Sequence, residues 1–589
     1  MNCSIRHAAI IRRFPLLCSL LCAPGYALLV LPAILPQSPS ANARTQEPPT
    51  IDWPQWGGTS LRNNTPVGYH IPTEWEIGDF NFQTGKWNPA GSRNIKWVAK
   101  LGSQSYGNAV LADGRIYVGT NNSGGWLKRY PAKVDLGCLL CFDINTGKFL
   151  WQHSSEKLPS GRVHDWPLQG ICCAPLVEGD RLWFVTSRGE VRCLDTAGFR
   201  DHENDGPYTE EAFTNQDGAD VVWVFDMMKE MGISQHNMCS CSVTSAGDLL
   251  FVNTSNGVDV EHNYIPAPEA PSFFAMNKHT GKVVWTDNSP GLNILHGQWS
   301  SPCYAEIGGQ PQVIFPGGDG WLYSFDPQGQ QIPGKGASGK SLLLWKFDAN
   351  PKTSLWELGG RGTRNNLIAT PVVYQNRVYI AVGQDPEHGE GIGHLWCIDP
   401  TRRGDISPEL VFNAAAPNTP IGPKRLQAAD PKQGDLTRPN PNSGAIWHYS
   451  QTDINGDGEI DFEETMHRSC GTVTILDNIL YIADFSGLLH CLDATTGKVH
   501  WTYDMLAASW GTPLIVEGKV YLGNEDGDVS IFRHSADPKV AMREEDGEPV
   551  PYYGVHNMGS SVYSTPIVAG NVLYITSRTH LFAIASKGE

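Results

Sequence analysis

The sequence is short of basic residues. Lys and Arg number 44 against 61 Asp and Glu, a formal charge of -17, whereas a surface for nucleic acid or anionic membrane needs clustered cations. No long amphipathic helical pattern occurs, which argues against a helical fold. Cys-x-x-Cys-His is missing, so no covalently attached haem serves as a built-in electron acceptor. An unbroken apolar span is lacking too, because Pro15, Pro24, Pro32 and Pro36 break up the run from Phe14 to Leu35. Arg6, Arg12 and Arg13 precede that run, and Ala41-Asn42-Ala43 offers a small-x-small cleavage site. Residues 1–43 therefore read as a cleaved export signal rather than a retained anchor. The mature chain is expected to be extracytoplasmic, periplasmic or secreted, with no membrane span. There is no even cysteine framework either: of 14 cysteines, Cys3, Cys18 and Cys22 leave with the signal, and the remaining 11 cannot all pair.

What the chain has in quantity is strand and turn material: 62 Gly, 41 Pro and 19 Trp in 589 residues. One phrase organises it. LCFDINTGKFLW (Leu140 to Trp151), FAMNKHTGKVVW (Phe274 to Trp285) and LLHCLDATTGKVHW (Leu488 to Trp501) each place a Trp eight residues after an Asp or Asn. Each reads as strand, turn, strand. Cys141, Cys193, Cys397 and Cys491 stand two positions before an Asp in this phrase and its variants, where they act as small buried apolar residues.

Around the phrase a longer unit recurs: two short strands, the phrase strand, then a Trp-bearing strand. Eight units can be traced from Gly107 to Ala585. The last has three strands, while Asn94 to Leu101, with Trp97, is a Trp-bearing strand with nothing before it. Using the early strand to complete the final unit closes a ring and removes its edges. The expected fold is an all-β, eight-bladed β-propeller over residues 94–589, with seven blades as the competing count. Residues 44–93 form a lead-in, and 199–222 and 400–446 are insertions.

The phrase x-D-x-x-T-G-K-x-x-W resembles the repeat of the pyrroloquinoline-quinone (PQQ) family, which includes quinoprotein alcohol dehydrogenases and non-catalytic propellers of outer-membrane assembly. The resemblance implies a fold more firmly than a chemistry. It also draws attention to Cys172-Cys173, since the family's dehydrogenases hold an adjacent-cysteine disulfide against the quinone at a similar place. The other reading is that both cysteines pack, as small residues do at the comparable positions of Cys239, Cys241, Cys303 and Cys470. The family's calcium ligands, base and cationic quinone partner cannot be placed.

Asp453 to Glu464 (DINGDGEIDFEE) matches an EF-hand-type calcium loop. Asp453, Asn455 and Asp457 take the first ligand positions, Gly458 the bend, Glu459 a backbone-carbonyl position, Asp461 a direct or water-mediated one, and Glu464 the bidentate close. Asp201 to Glu211 echoes the opening, with Asp201, Glu203 and Asp205 spaced alike and Glu210 or Glu211 left to close. That stretch reads either as a second calcium loop or as a plain acidic insertion.

Polar residues also mark the segments leading into the inner strands: His236 and Asn237, His296 and Gln298, Arg364 and Asn365, His467, and His556 with Asn557. In a ring these would surround a channel mouth and favour a polar or anionic small-molecule ligand, or a protein partner. Two readings follow. One is a calcium-binding propeller that binds or scaffolds through its channel-mouth loops. The other is a PQQ-dependent alcohol (polyol) dehydrogenase passing electrons to a separate acceptor.

Overall fold

The Asp of the repeated phrase makes its turn. Asp143 Oδ1 accepts from the N–H groups of Asn145 (3.1 Å) and Thr146 (2.9 Å) and from Thr146 Oγ1 (2.7 Å), an Asx turn. Asn277 and Asp493 repeat it with Thr280 and Thr496. The Gly of the phrase takes a positive φ, 65° at Gly147, 67° at Gly281 and 74° at Gly497, which costs glycine little. It is required for a second reason. An indole from the preceding sheet lies on it, so a Cβ would fall 2.5 Å from Trp97 at Gly147 and 2.6 Å from Trp447 at Gly497. The same indoles donate to the carbonyl just after the Asp or Asn: Trp97 to Ile144 (3.0 Å), Trp223 to Lys278 (3.2 Å) and Trp447 to Ala494 (3.0 Å). Trp151 reaches Thr196 and Trp285 reaches Pro327 in the same way. The conserved look of the phrase thus has a mechanical cause: Asp turns the chain, Gly seats the previous sheet, and Trp docks on the next.

These details come from a computed structural model describing residues 52–81, 83–357 and 362–586. The export signal expected at 1–43 lies outside them. Among the described residues, eight antiparallel sheets follow the four-strand plan. The first comprises Val110–Ala112, Arg115–Asn121, Leu136–Asp143 and Phe149–Glu156. In the seventh the outermost strand is Val555–Asn557, reached after a helical turn (Pro538–Ala541) and a small hairpin. The last holds Ile567–Ala569, Val572–Thr576 and His580–Ile584, and its fourth strand is Ile95–Lys100, with Val98 opposite Phe582 and Lys100 opposite His580. Trp97 of that strand lies on Gly147 and donates to Ile144, both at the turn of the first sheet.

The 400–446 insertion builds its own three-stranded sheet from Glu409–Asn413, Ala416–Pro420 and Asp435–Pro439. The 199–222 insertion holds only a 3-10 turn at Gly198–Arg200 before strand Val221–Asp226.

The lead-in is built into the sheets. Trp53 exchanges backbone hydrogen bonds with Leu111 of the first sheet (2.8 and 2.9 Å). The carbonyls of Pro54, Ser60, Leu61 and Asn64 accept from Val177, Tyr304, Val373 and Ile515, in the second, fourth, fifth and seventh sheets. Asn63 holds both backbone groups of Ile475 in the sixth, and Asn64 reaches Pro566, beside the eighth, at 3.3 Å. Arg62 supplies the third: its guanidinium donates to Ser242 (2.8 Å) and Val243 (3.1 Å), and also to Pro302 (3.0 Å) and Trp56 (2.9 Å). Residues 53–64 therefore bond to the inner strands of six sheets and to the residues just before them in the third and eighth, satisfying backbone groups that would otherwise be unpaired.

Candidate functional site

Three residues before those contacts in six of the sheets, about 10 Å further along a strand at 3.3 Å per residue, and at Ser242 and Thr565 in the third and eighth, the sheets meet one another. The N–H of Ala174 donates to Ser242 Oγ (2.9 Å), Ser242 to Ser301 Oγ (2.9 Å), Ser301 to Thr370 Oγ1 (3.4 Å), and Thr370 to Thr472 Oγ1 (3.1 Å). Thr512 donates to Thr565 Oγ1 (3.0 Å) and Thr565 to Asn108 Oδ1 (2.6 Å). A signal for this belt lay in the sequence as Ser301-Pro302, Thr370-Pro371, Thr512-Pro513 and Thr565-Pro566. Above it opens a cavity of about 360 Å³ lined from all eight sheets, with Trp56 of the lead-in among the lining residues.

The cavity wall is aromatic. Trp166, Trp299 and Trp510 line it, and Tyr106 stacks on Tyr563 with centroids 4.5 Å apart. None of its lining residues is Lys or Arg. Arg162 lies over the Trp166 ring, 3.7 Å from its centroid, and is matched by Glu387 at 3.9 Å.

One side of the cavity carries a histidine cluster. His236 and His296 come from segments leading into the third and fourth inner strands. His262 and His388 come from loops between the second and third strands of the third and fifth sheets. Ring centroids are 4.7 Å apart for His236–His296, 4.5 Å for His262–His296 and 4.5 Å for His296–His388. Asp385 holds two of them, accepting from His296 Nδ1 at 2.8 Å and His388 Nδ1 at 2.6 Å. Burial alone would raise the Asp385 carboxyl, but those hydrogen bonds outweigh it and hold it well below the usual range. Burial and the neighbouring His296 push His236 down to about 3, and burial with His296 and His388 pushes His262 down to about 4, so both are neutral at pH 7.

The surroundings hold these groups in place. Val258, Ile265 and Ile294 form a small core under the His262 loop. Arg425, from the 400–446 insertion, donates to Ile294 (2.8 Å) and Asn263 (3.2 Å), tying the loops of His296 and His262 together. His262 and Asn237 both sit at positive φ (62° and 61°), strain of about 1–3 kcal/mol each that only an over-determined site sustains.

Of the residues singled out by sequence, Asn237, His296 and Cys172 line the cavity, and His236 stands behind His296. The rest lie elsewhere. Gln298 is buried on Asn256 and Ser272. Arg364 is buried against Asp348, and Asn365 is bonded to Asn350. His467 stacks on Phe462 beneath the 453–464 loop. His556 and Asn557 occupy the outermost strand of the seventh sheet, where His556 bonds to Thr73 and Asn557 to Asp526 and Asp528. The segment is not an approach to an inner strand: the hairpin Met542–Pro551 precedes it, and the seventh sheet ends only with Val555–Asn557. Asp385, His262, His388 and the Trp residues of the wall were not anticipated.

Cys172 and Cys173 are both free thiols, as are the other described cysteines. Cys172 Sγ faces Met238 Sδ at 3.5 Å and Cys173 Sγ faces the Val185 carbonyl at 3.1 Å, and burial pushes each up to about 12. A quinone bearing three carboxylates needs cations, and among the described residues this lining includes no Lys or Arg, which does not favour PQQ.

In the 453–464 loop, Asp453 accepts from Gly456 (2.6 Å) and Gly458 (3.0 Å), while Glu464 folds back to accept from Ile454 (2.7 Å) and Asn455 (3.0 Å). Asn455 and Asp457 cap Asp457 and Glu459 N–H groups, and Asp461 caps the 3-10 turn Phe462–Glu464. Among the described residues, the groups whose potential metal-ligating atoms all lie within 4.8 Å of one another are His236–His262–His296 and His296–Asp385–His388; the carboxylates of this loop are not among them. In the acidic insertion, Asp205 pairs with Arg181 at 2.7 Å, Asp201 caps Glu203, and Glu210 is exposed. There the Arg181 guanidinium supplies the positive charge that a second cation would bring.

Residues 432–588 match the family profile described as outer membrane protein assembly factor BamB, of the PQQ repeat class. Over those residues the chain is similar to PQQ-repeat β-propellers. No curated protein matches it. Among solved structures, BamB from Moraxella catarrhalis is 15% identical, with 84% of this chain and 98% of that one covered at a TM-score of 0.44. The quinohemoprotein alcohol dehydrogenase from Comamonas testosteroni is 11% identical, with coverage of 92% and 81% and a TM-score of 0.42. A europium-containing methanol dehydrogenase is 12% identical, with coverage of 91% and 98% and a TM-score of 0.39. At such scores these likenesses carry no argument about activity. Among the described residues of the propeller, no helix is long and apolar enough to cross a membrane.

Proposed function

We propose that this propeller is an extracytoplasmic binding protein whose ligand enters the cavity at the channel mouth. Eight blades form the ring, with Ile95–Lys100 completing the last. The observation that carries the reading is the cavity: an aromatic wall and a belt of neutral hydroxyls, with Trp56 of the lead-in among its lining residues. Aromatic faces and neutral hydroxyls without a cation suit an uncharged polar ligand, such as a saccharide or polyol, better than an anionic quinone.

Tryptophan fluorescence tests this with a panel of neutral saccharides and polyols, and with PQQ plus Ca²⁺ as the rival probe. A saturable response to a neutral compound, lost in Trp510→Ala, is expected. Tight PQQ binding with alcohol-dependent dye reduction would contradict the reading and restore the dehydrogenase.

The 453–464 loop is the proposed calcium site, of structural character. Its acidic groups already fold inward on their own backbone, with Glu464 reaching back to the start of the loop. Calorimetry with Ca²⁺ should show one saturable site, lost in Asp457→Ala and in Glu464→Gln. Unchanged binding in both variants would remove the site.

A further inference from the structure

We infer that His236, His262 and His296 form a binding site for a divalent transition-metal ion of the zinc class at the rim of the cavity. The inference stands apart from the choice of cavity ligand.

It rests first on tautomers. His236 Nδ1 lies 2.9 Å from the Val258 carbonyl, which can only accept, so Nδ1 carries the hydrogen and Nε2 presents a lone pair. His296 Nδ1 is fixed in the same sense by the Asp385 carboxylate at 2.8 Å. Both Nε2 atoms are buried and have no hydrogen-bond partner. The closest carboxylate oxygen to His296 Nε2, from Glu387, is 3.7 Å away and would offer another lone pair rather than a proton. Two buried, unpartnered acceptors on neighbouring rings, with a third imidazole beside them, are costly unless something positive sits between.

The second support is convergence. One potential ligand atom from each of the three histidines lies within 4.8 Å of the others. A tetrahedral ion with metal–nitrogen bonds of about 2.0–2.1 Å brings its ligand atoms to roughly 3.3 Å apart. Small ring rotations close that gap, and half-buried His262, on its loop, has the room to make them.

The third is the shell behind the ligands. A metal-bound imidazole ordinarily donates its other N–H to a carboxylate or a backbone carbonyl. Here Asp385 and Val258 take those places, and Asp385 is itself braced by His388, which packs on Trp356 with centroids 4.8 Å apart. All-imidazole donation favours zinc, copper or nickel over calcium or magnesium, so this site and the acidic loop would not compete for the same ion. The cavity side of the cluster would leave a coordination position open to water or to a cavity ligand.

The test uses the full mature chain, stripped with chelator and then kept in excess Ca²⁺ to saturate the acidic loop. Co²⁺ titration should give visible d–d absorption saturating at one ion per chain, and Zn²⁺ should displace it. His262→Ala, at a half-exposed position, should abolish the band while leaving the unfolding transition in place. Asp385→Asn should weaken binding about 10- to 100-fold, and His388→Gln should retain the ion. No band at equimolar Co²⁺, a band unchanged in His262→Ala, or loss with His388→Gln but not with His262→Ala would each overturn the assignment.

Discussion

Arg62→Met is expected to be among the most damaging single substitutions in the chain. The guanidinium is fully buried, and no acidic side chain pairs with it in the described structure; its hydrogen bonds go to the carbonyls of Trp56, Ser242, Val243 and Pro302, with a longer contact to Gln55. Burial lowers its pKa to about 10, still charged at neutral pH. A methionine fills similar space but abandons three buried acceptors and the half-buried Trp56 carbonyl, each buried one costing about 1–3 kcal/mol, so a loss on the order of 3 kcal/mol or more is expected. Arg62→Lys keeps the charge but not the planar fork, and should recover only part of the loss. Denaturant midpoints check this. A midpoint for Arg62→Met within error of the parent would mean that residues 53–64 do not hold the inner strands.

Trp97→Ala should also cost about 3–5 kcal/mol, as large-to-small changes at buried aromatic positions do. Its ring is buried between the last and first sheets, lies on Gly147 and donates to Ile144. Trp447→Ala removes an equivalent ring, seated on Gly497 and bonded to Ala494, at the junction of the fifth and sixth sheets. The two should differ in where the damage falls. Hydrogen exchange in Trp97→Ala should quicken at Leu581 to Ala583, whereas in Trp447→Ala those amides should stay protected. The same pattern in both variants would mean that Trp97 is not the closing residue.

Much of the fold was legible because its determinants are local. An Asx turn, a positive-φ glycine and a Trp at fixed spacing repeat within a dozen residues. The role of the lead-in was not legible, because residues 53–64 have no periodicity and their partners lie up to 502 residues away. The site was half legible. His236 and His296 stand out in segments before inner strands, but His262, Asp385 and His388 lie on loops between second and third strands, where polarity carries no special meaning. What joins them is a contact between Asp385 and His296 across 89 residues. His467 shows the converse: a histidine in the expected kind of segment that serves local packing, on Phe462.

Closure can be tested by covalent capture. Lys100 and His580 are register partners at the end of the joined strands, so Lys100→Cys together with His580→Cys should form a disulfide within single chains under mild oxidation, found by mass spectrometry of the monomer. Absence of that link, or its appearance only between chains, would mean that the first strand does not complete the last sheet, and the cavity assembled from all eight would lose its frame.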